Sequence, residues 1–268
     1  MSIRTTVILG ITGLTFHFAA TINPAEAENI GKADRVQNNV TGIIGGRSTK
    51  ISRGDNVFQD QRIRTRSNST AQIRFKDNTR LAVGPNSSIT LDRAVFSGDA
   101  NERLIIKAAR GAFRFASGKM RKKAYQLVTP SSTVGIRGTM FDGHVDANGN
   151  TILTLLQGQL TACTSGGECR TIKDPCGCLR IDRSGNITSS TGLTQRILQG
   201  LRSDQAAPFL HFQTYLLRSI QAPSWLIRKC TSGSATDGQD TDGSGNGGGD
   251  GGNGGGNGGG SNGGTNFG

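Results

Sequence analysis

The chain has 268 residues and a net charge of +12, only 34% of its residues are hydrophobic and 5% aromatic. That length allows one sizeable core, and the aromatic content is too low for the stacking platforms that single-stranded nucleic acid usually needs. The charge is uneven: the four Asp of the stretch from Thr231 to Gly268, with no Lys or Arg there, leave +16 on Glu28 to Cys230, a body drawn to anionic surfaces.

In chain order, Met1 to Ala27 reads as a secretory signal peptide. Arg4 precedes an apolar run from Val7 to Ile22, and Ala25-Glu26-Ala27 supplies small residues at the cleavage positions, so the mature chain is expected to start at Glu28. No later stretch has the roughly 20 apolar residues that span a bilayer. The expectation is a periplasmic or secreted protein.

From Val36 the sequence turns into short apolar stretches divided by turn residues. Val40 to Ile44 runs into Gly45-Gly46, Asp60 to Thr65 alternates around Ile63, and Ala71 to Phe75 alternates Ala, Ile and Phe with Gln and Arg. Lys76-Asp77-Asn78 predicts a hairpin turn into Thr79 to Val83. Further strands are expected at Ile89 to Leu91, Leu104 to Ile106 and Phe113 to Phe115, the last opened by Gly111. Strand and turn units at such spacing predict an all-β domain over residues 28–162. Its narrow apolar faces suit a β-solenoid, with a β-sandwich as the alternative.

The stretch from Val128 to Phe141 is the corner of this domain, where Pro130, Gly135 and Gly138 interrupt the apolar positions Val134, Ile136, Met140 and Phe141. Arg137 stands between Ile136 and Gly138; its guanidinium is expected to reach solvent, or to be held by a carboxylate or by backbone carbonyls that tie adjacent coils, because an unpaired buried charge is costly. Gly135, Gly138, Thr139 and Arg137 are the candidate binding or structural residues here. Lys119, Arg121, Lys122 and Lys123 form a candidate anion contact in a loop. Asp142 to Val145 and Thr151 to Leu156 flank Asn148-Gly149, a second hairpin signal, and Gln157 to Leu160 carries the last strand to Ala162, where the core is expected to end.

All five cysteines, Cys163, Cys169, Cys176, Cys178 and Cys230, follow this domain. In an oxidising compartment they are disulfide candidates with one left over, and a Cys163–Cys169 pair is one of the open connectivities. Zinc fits less well, since Cys176-Gly177-Cys178 lacks the two-residue spacer and no histidine is near. Residues 163–190 read as a Cys-rich segment that needs crosslinks. Residues 191–230 read as two amphipathic helices: one capped by Thr191 with Leu193, Ile197, Leu198 and Leu201 on a face, one from Pro208 with Phe209, Phe212, Leu216, Leu217 and Ile220, stopped by Pro223. They are expected to pack on the β-domain or on each other, or else to meet a partner or membrane surface through Arg218, Trp225, Leu226, Arg228 and Lys229. Residues 231–268, with 18 glycines, cannot bury enough apolar surface to order and read as a flexible tail; its Gly-Asn-Asp runs lack the apolar residue of calcium-binding repeats.

Catalytic constellations are not visible. His144 and His211 stand apart, no nucleophile elbow, phosphate loop or zinc helix is present, and Asp77, Asp92, Asp142 and Asp146 are best read as turn or surface residues. No enzyme, cofactor or metal is expected. Four motifs in order, D-x-T-x-L-x-x-G-P-N-S (Asp77 to Ser87), G-x-F-R-F-x-S-G (Gly111 to Gly118), T-P-x-x-x-V-G-I-R-G-T-x-F (Thr129 to Phe141) and T-x-L-x-G (Thr154 to Gly158), make the stretch from Val40 to Ala162 resemble the FecR domain family of bacterial extracytoplasmic proteins. The resemblance implies a β-solenoid-like exported domain. The family's best-known members relay a signal from an outer-membrane transporter, with a cytoplasmic anti-sigma segment before the domain. Here only the signal-peptide-like stretch precedes it, so sigma-factor control is not carried over. The resulting expectation is a binding or sensing module with an envelope protein as partner; the alternative is a structural envelope protein whose basic body adheres to anionic polysaccharide.

Overall fold

The computed structural model describes residues 27–121 and 124–232. The leader, apart from its last position, the tail beyond residue 232, and Lys122 and Lys123 lie outside the described residues. None of the described helices is long and apolar enough to cross a membrane.

About half of the described residues are in strands, and these form two layers. The first layer runs β4 (Asn56–Phe58), β1 (Asn29–Gln37), β6 (Thr70–Phe75), β7 (Arg80–Val83), then the second halves of β9 (Arg103–Ala116) and β11 (Thr133–Val145), the first half of β12 (Thr151–Cys163), β14 (Gly177–Ile181) and β15 (Ile187–Thr191). The second runs β3 (Arg47–Lys50), β2 (Val40–Ile44), β5 (Gln61–Thr65), β8 (Ser88–Val95), the first half of β9, β10 (Tyr125–Val128), the first half of β11, the second half of β12 and β13 (Cys169–Ile172). The all-β class holds. Stacked parallel rungs are not seen: among the described residues every ladder is antiparallel except β9 with β10, so the pairing gives no support to the solenoid.

Three long strands serve both layers, and each bends at a glycine in the left-handed region: Gly111 (φ 91°) in β9, Gly138 (φ 58°) in β11 and Gly158 (φ 86°) in β12. A side chain at Gly111 would lie 2.1 Å from Ser87 Oγ, and one at Gly158 would lie 2.2 Å from the Gly138 carbonyl, so glycine is required by close approach as well as by conformation. Leu104–Ile106 and Phe113–Phe115 are thus one bent strand rather than two. Between the layers lies one core in which Phe113, Phe115 and Phe141 of the first layer meet Tyr125, Leu127, Ile63 and Ile89 of the second. The Phe115 and Tyr125 rings cross edge to face at 5.7 Å.

This core does not end at Ala162. Leu179 and Ile181 of β14 are fully buried in it, and the segment expected to depend on crosslinks contributes three paired strands. The outer face of the first layer is covered as well. Along β12, Leu153 and Leu155 point into the core while Ile152 and Leu156 pack against Leu193, Ile197 and Leu198. The covering layer consists of α1 (Gln195–Leu198), α2 (Ser203–Ala206), α3 (Pro208–His211), two 3₁₀ turns and α4 (Ser224–Thr231). The expected pair of helices is therefore four shorter ones. Thr194, not Thr191, caps α1, because Thr191 ends β15. Pro208 opens α3 as expected, but the helix stops at His211, and Pro223 precedes α4 rather than only ending a helix. Four-residue helices are unstable alone, so packing on the sheet holds them. Gln72 fastens this layer, its Nε2 donating to the Tyr215 carbonyl (2.6 Å) and its Oε1 accepting from Leu217 N (2.9 Å).

Candidate functional site

The Val134-Gly135-Ile136-Arg137-Gly138-Thr139 element is where β11 passes from one layer to the other. Thr139 is buried: its hydroxyl donates to the Gln159 carbonyl (2.7 Å), and its amide donates to Ser117 Oγ (2.8 Å). Arg137 is exposed. Of the fates open to it, solvent is the one observed, and among the described residues its guanidinium ties no coils together through carbonyls. Gly135 lines a small cleft of about 290 Å³ beside Tyr125 and Thr161. Lys119 and Arg121 are exposed, and their amides donate to the Asp77 carbonyl (2.9 Å) and Glu102 Oε2 (3.2 Å). Of the predicted residues that are described, Thr139 ties the corner, Arg137, Lys119 and Arg121 face solvent, and Gly135 lines the small cleft.

Concavities occur at the opposite corner, where β5, β8 and β9 approach their crossings. Its floor is the Gly84-Pro85-Asn86-Ser87 loop. Thr65 Oγ1 donates to the Gly84 carbonyl (2.6 Å) and accepts from Ser87 N (2.9 Å), while Ser87 Oγ donates to the Ala112 carbonyl (3.2 Å). One cleft of about 540 Å³ opens beside this loop, walled by Arg64, Arg66 and Arg110 with Asn39, Thr41 and Ser88. Sequence reading missed these arginines as a group. The outward position of Arg64 follows from the alternation around Ile63, but Arg110 joins it only through the register Arg64↔Ser88↔Arg110.

A second cleft of about 520 Å³ shares Arg110 and Asn86 and runs between this corner and the helical layer, lined among others by His144, Asp146, Asp204, Phe212 and Tyr215. His144 Nδ1 is buried without a hydrogen-bond partner among the described residues. Burial, against the favourable field of Asp146, lowers the imidazole pKa from 6.5 to about 4. The folded state therefore resists a proton that the unfolded chain accepts. Stability is whole above pH 6.5 and lost as pH falls through 4, by up to about 3 kcal/mol. In urea titrations across this range, His144→Gln should flatten the decline; an unchanged decline would assign it to other groups.

Comparison with known proteins fits the corner motifs. Residues 61–161 match the family model described as FecR protein. These residues are a FecR-like domain. That match runs from β5 to β12, so it takes in all three bent strands and both arginine-bearing edges of the first cleft. No curated protein matches the chain. Two crystal structures of a "putative anti-sigma factor" from Parabacteroides distasonis ATCC 8503, at 1.65 and 2.50 Å, are each 13% identical with TM-score 0.42 over 53% of this chain. The chain covers 65% and 64% of those two chains.

Proposed function

We propose that the chain is an exported, non-enzymatic FecR-domain protein of the bacterial envelope, a sensing module in signal transduction that docks a protein partner through its helical layer. The FecR domain supports the regulatory class, and the two disulfides, Cys163–Cys169 and Cys176–Cys230, support an oxidising compartment. The observation that carries the reading is the way the helical layer is joined to the domain. Arg114 of the FecR domain, fully buried, donates through Nη1 to the Ile220 carbonyl (3.1 Å) while paired with Asp142, so the layer is fastened to the middle of the sheet. The same layer leaves Phe212, at the rim of the second cleft, and Trp225 43% and 56% exposed, with Arg218, Arg228 and Lys229 also exposed. Exposed aromatics with arginine are the side chains that dominate protein interfaces.

The test is a pull-down from the native envelope with the full chain and with Phe212→Ser/Trp225→Ser, at low and high salt. Side chains are substituted rather than the segment removed, because a chain ending at Ala162 would lack the core residues Leu179 and Ile181. A defined protein held at high salt by the parent chain and released by the variant is the expected result. Recovery of lipid vesicles or anionic polymer alone, stripped by salt, would refute docking, because exposed charge contacts are screened within about 8 Å.

A further inference from the structure

The geometry points to the arginine cleft of the FecR domain as a binding site for an acidic polysaccharide, with Arg64, Arg66 and Arg110 taking its sulfate or carboxylate groups and Asn39, Thr41 and Ser88 its hydroxyls. This inference is independent of the helical docking face. Three observations carry it.

First, the cations are unpaired. Arg74 and Arg80 meet Asp34, Lys107 meets Asp92, Arg114 meets Asp142, and Arg180 meets Asp146, each within 4.0 Å, whereas Arg64, Arg66 and Arg110 form no ion pair among the described residues. No Asp or Glu lines the cleft. Gathering three like charges in one concavity opposes folding, and an anion relieves that repulsion.

Second, the cleft is built on rigid parts. Thr41, Arg64, Ser88 and Arg110 stand opposite one another on β2, β5, β8 and β9. Two strand spacings separate Arg64 from Arg110, roughly 9–10 Å between backbones, a gap that suits groups carried on successive units of a chain better than one small ion. Arg66 is held at the cleft's end, its carbonyl accepting from Asn86 N (3.2 Å) and from Ser69 N (3.2 Å). The backbone therefore needs no ordering on binding, which leaves only the side chains to be fixed.

Third, the lining decides the class. Besides arginine it is hydroxyl and amide, the complement of a polyol, and no aromatic side chain lines it for bases to stack on. Guanidinium forks pair well with oxyanions.

The experiment is calorimetric titration of the full chain with sulfated dextran oligosaccharide, oligogalacturonate, neutral dextran oligosaccharide, inorganic sulfate and a single-stranded oligonucleotide. Arg64→Gln/Arg66→Gln/Arg110→Gln is compared with Arg170→Gln/Lys173→Gln/Arg183→Gln, which removes the same charge at exposed sites elsewhere. Both acidic oligosaccharides should bind and neutral dextran should not. The cleft variant should lose at least about tenfold in affinity, the worth of one charged hydrogen bond, with the control within about twofold. Equal losses in the two variants would overturn the site in favour of diffuse attraction. Sulfate saturating the cleft at the oligosaccharide's own concentration would make it a free-anion site, and an oligonucleotide binding as tightly would refute the saccharide class. All six side chains are exposed, so both variants should keep the parent's unfolding temperature; a cleft variant that unfolds early is replaced by the single Arg110→Gln, for which an affinity equal to the parent's would likewise overturn the site.

Discussion

Asp142→Ala will destabilise the protein by about 3–5 kcal/mol, the cost of leaving a buried charge without its partner. Asp142 and Arg114 face each other across β11 and β9 and are 2% and 0% exposed, with Nη2 to Oδ2 at 2.8 Å. The carboxylate takes two of the guanidinium's donors and the Ile220 carbonyl a third, all between the sheet and the helical layer. Without Asp142 the guanidinium has no route to water short of lifting that layer. Arg114→Met should cost a similar amount, because it strands the carboxylate. The double variant Arg114→Met/Asp142→Leu should lose less than either single one, since apolar side chains of similar volume carry no desolvation cost. Denaturant unfolding of the three variants decides it. Single losses below about 1 kcal/mol would mean that the pair behaves as a solvated one.

That pair also marks the limit of what the sequence discloses. Strands were legible where one face is buried, because period-two alternation survives: Ile63 between Arg62 and Arg64 faces the core as read. The same parity accounts for Arg137. Val134 and Ile136 point inward, so Gly135 and Arg137 must point outward, and the apolar neighbours that made the arginine look enclosed lie on the other face. Where both faces are buried, alternation disappears. Thr151 to Leu156 and Gly177 to Ile181 are buried at every position, and nothing local announces the helical layer above them. Arg114 and Asp142 follow from that: each reads as an outward surface residue until residues 193–231 cover it.

The arginine cleft is hidden for a different reason. Its residues come from β5, the Gly84 to Ser87 loop and β9, and only strand register brings them together. The motifs Gly84-Pro85-Asn86-Ser87 and Gly111 were visible as turn chemistry, yet what they build is contact between two turns: Ser87 Oγ occupies the space that a side chain at position 111 would need. A glycine motif reports that something approaches; it does not name the neighbour.

The cysteines give the second large effect. Cys176→Ser/Cys230→Ser should cost about 4 kcal/mol and Cys163→Ser/Cys169→Ser about 2, because the first disulfide closes a segment of sequence separation 54 and the second one of separation 6, and loop-closure entropy grows with the logarithm of length. The locations agree with the ranking. Cys163 and Cys169 are cross-strand neighbours on β12 and β13, already joined by a ladder, whereas Cys176 and Cys230 tie the approach to β14 to the last helix and are both fully buried. Cys178 is the thiol left over. Buried, it has its pKa pushed up to about 12, so almost none is thiolate at neutral pH and it attacks its neighbouring disulfide slowly. The oxidised protein should then show one thiol that a soluble thiol reagent reaches only on unfolding. Denaturation curves of the two double-serine variants test the ranking, and labelling of the parent chain tests the burial. Similar losses from both pairs would mean that local packing rather than chain closure sets their worth. Rapid native labelling of Cys178 would mean instead that the helical layer opens readily, and the Arg114 pair beneath it would then reach water at the same moments.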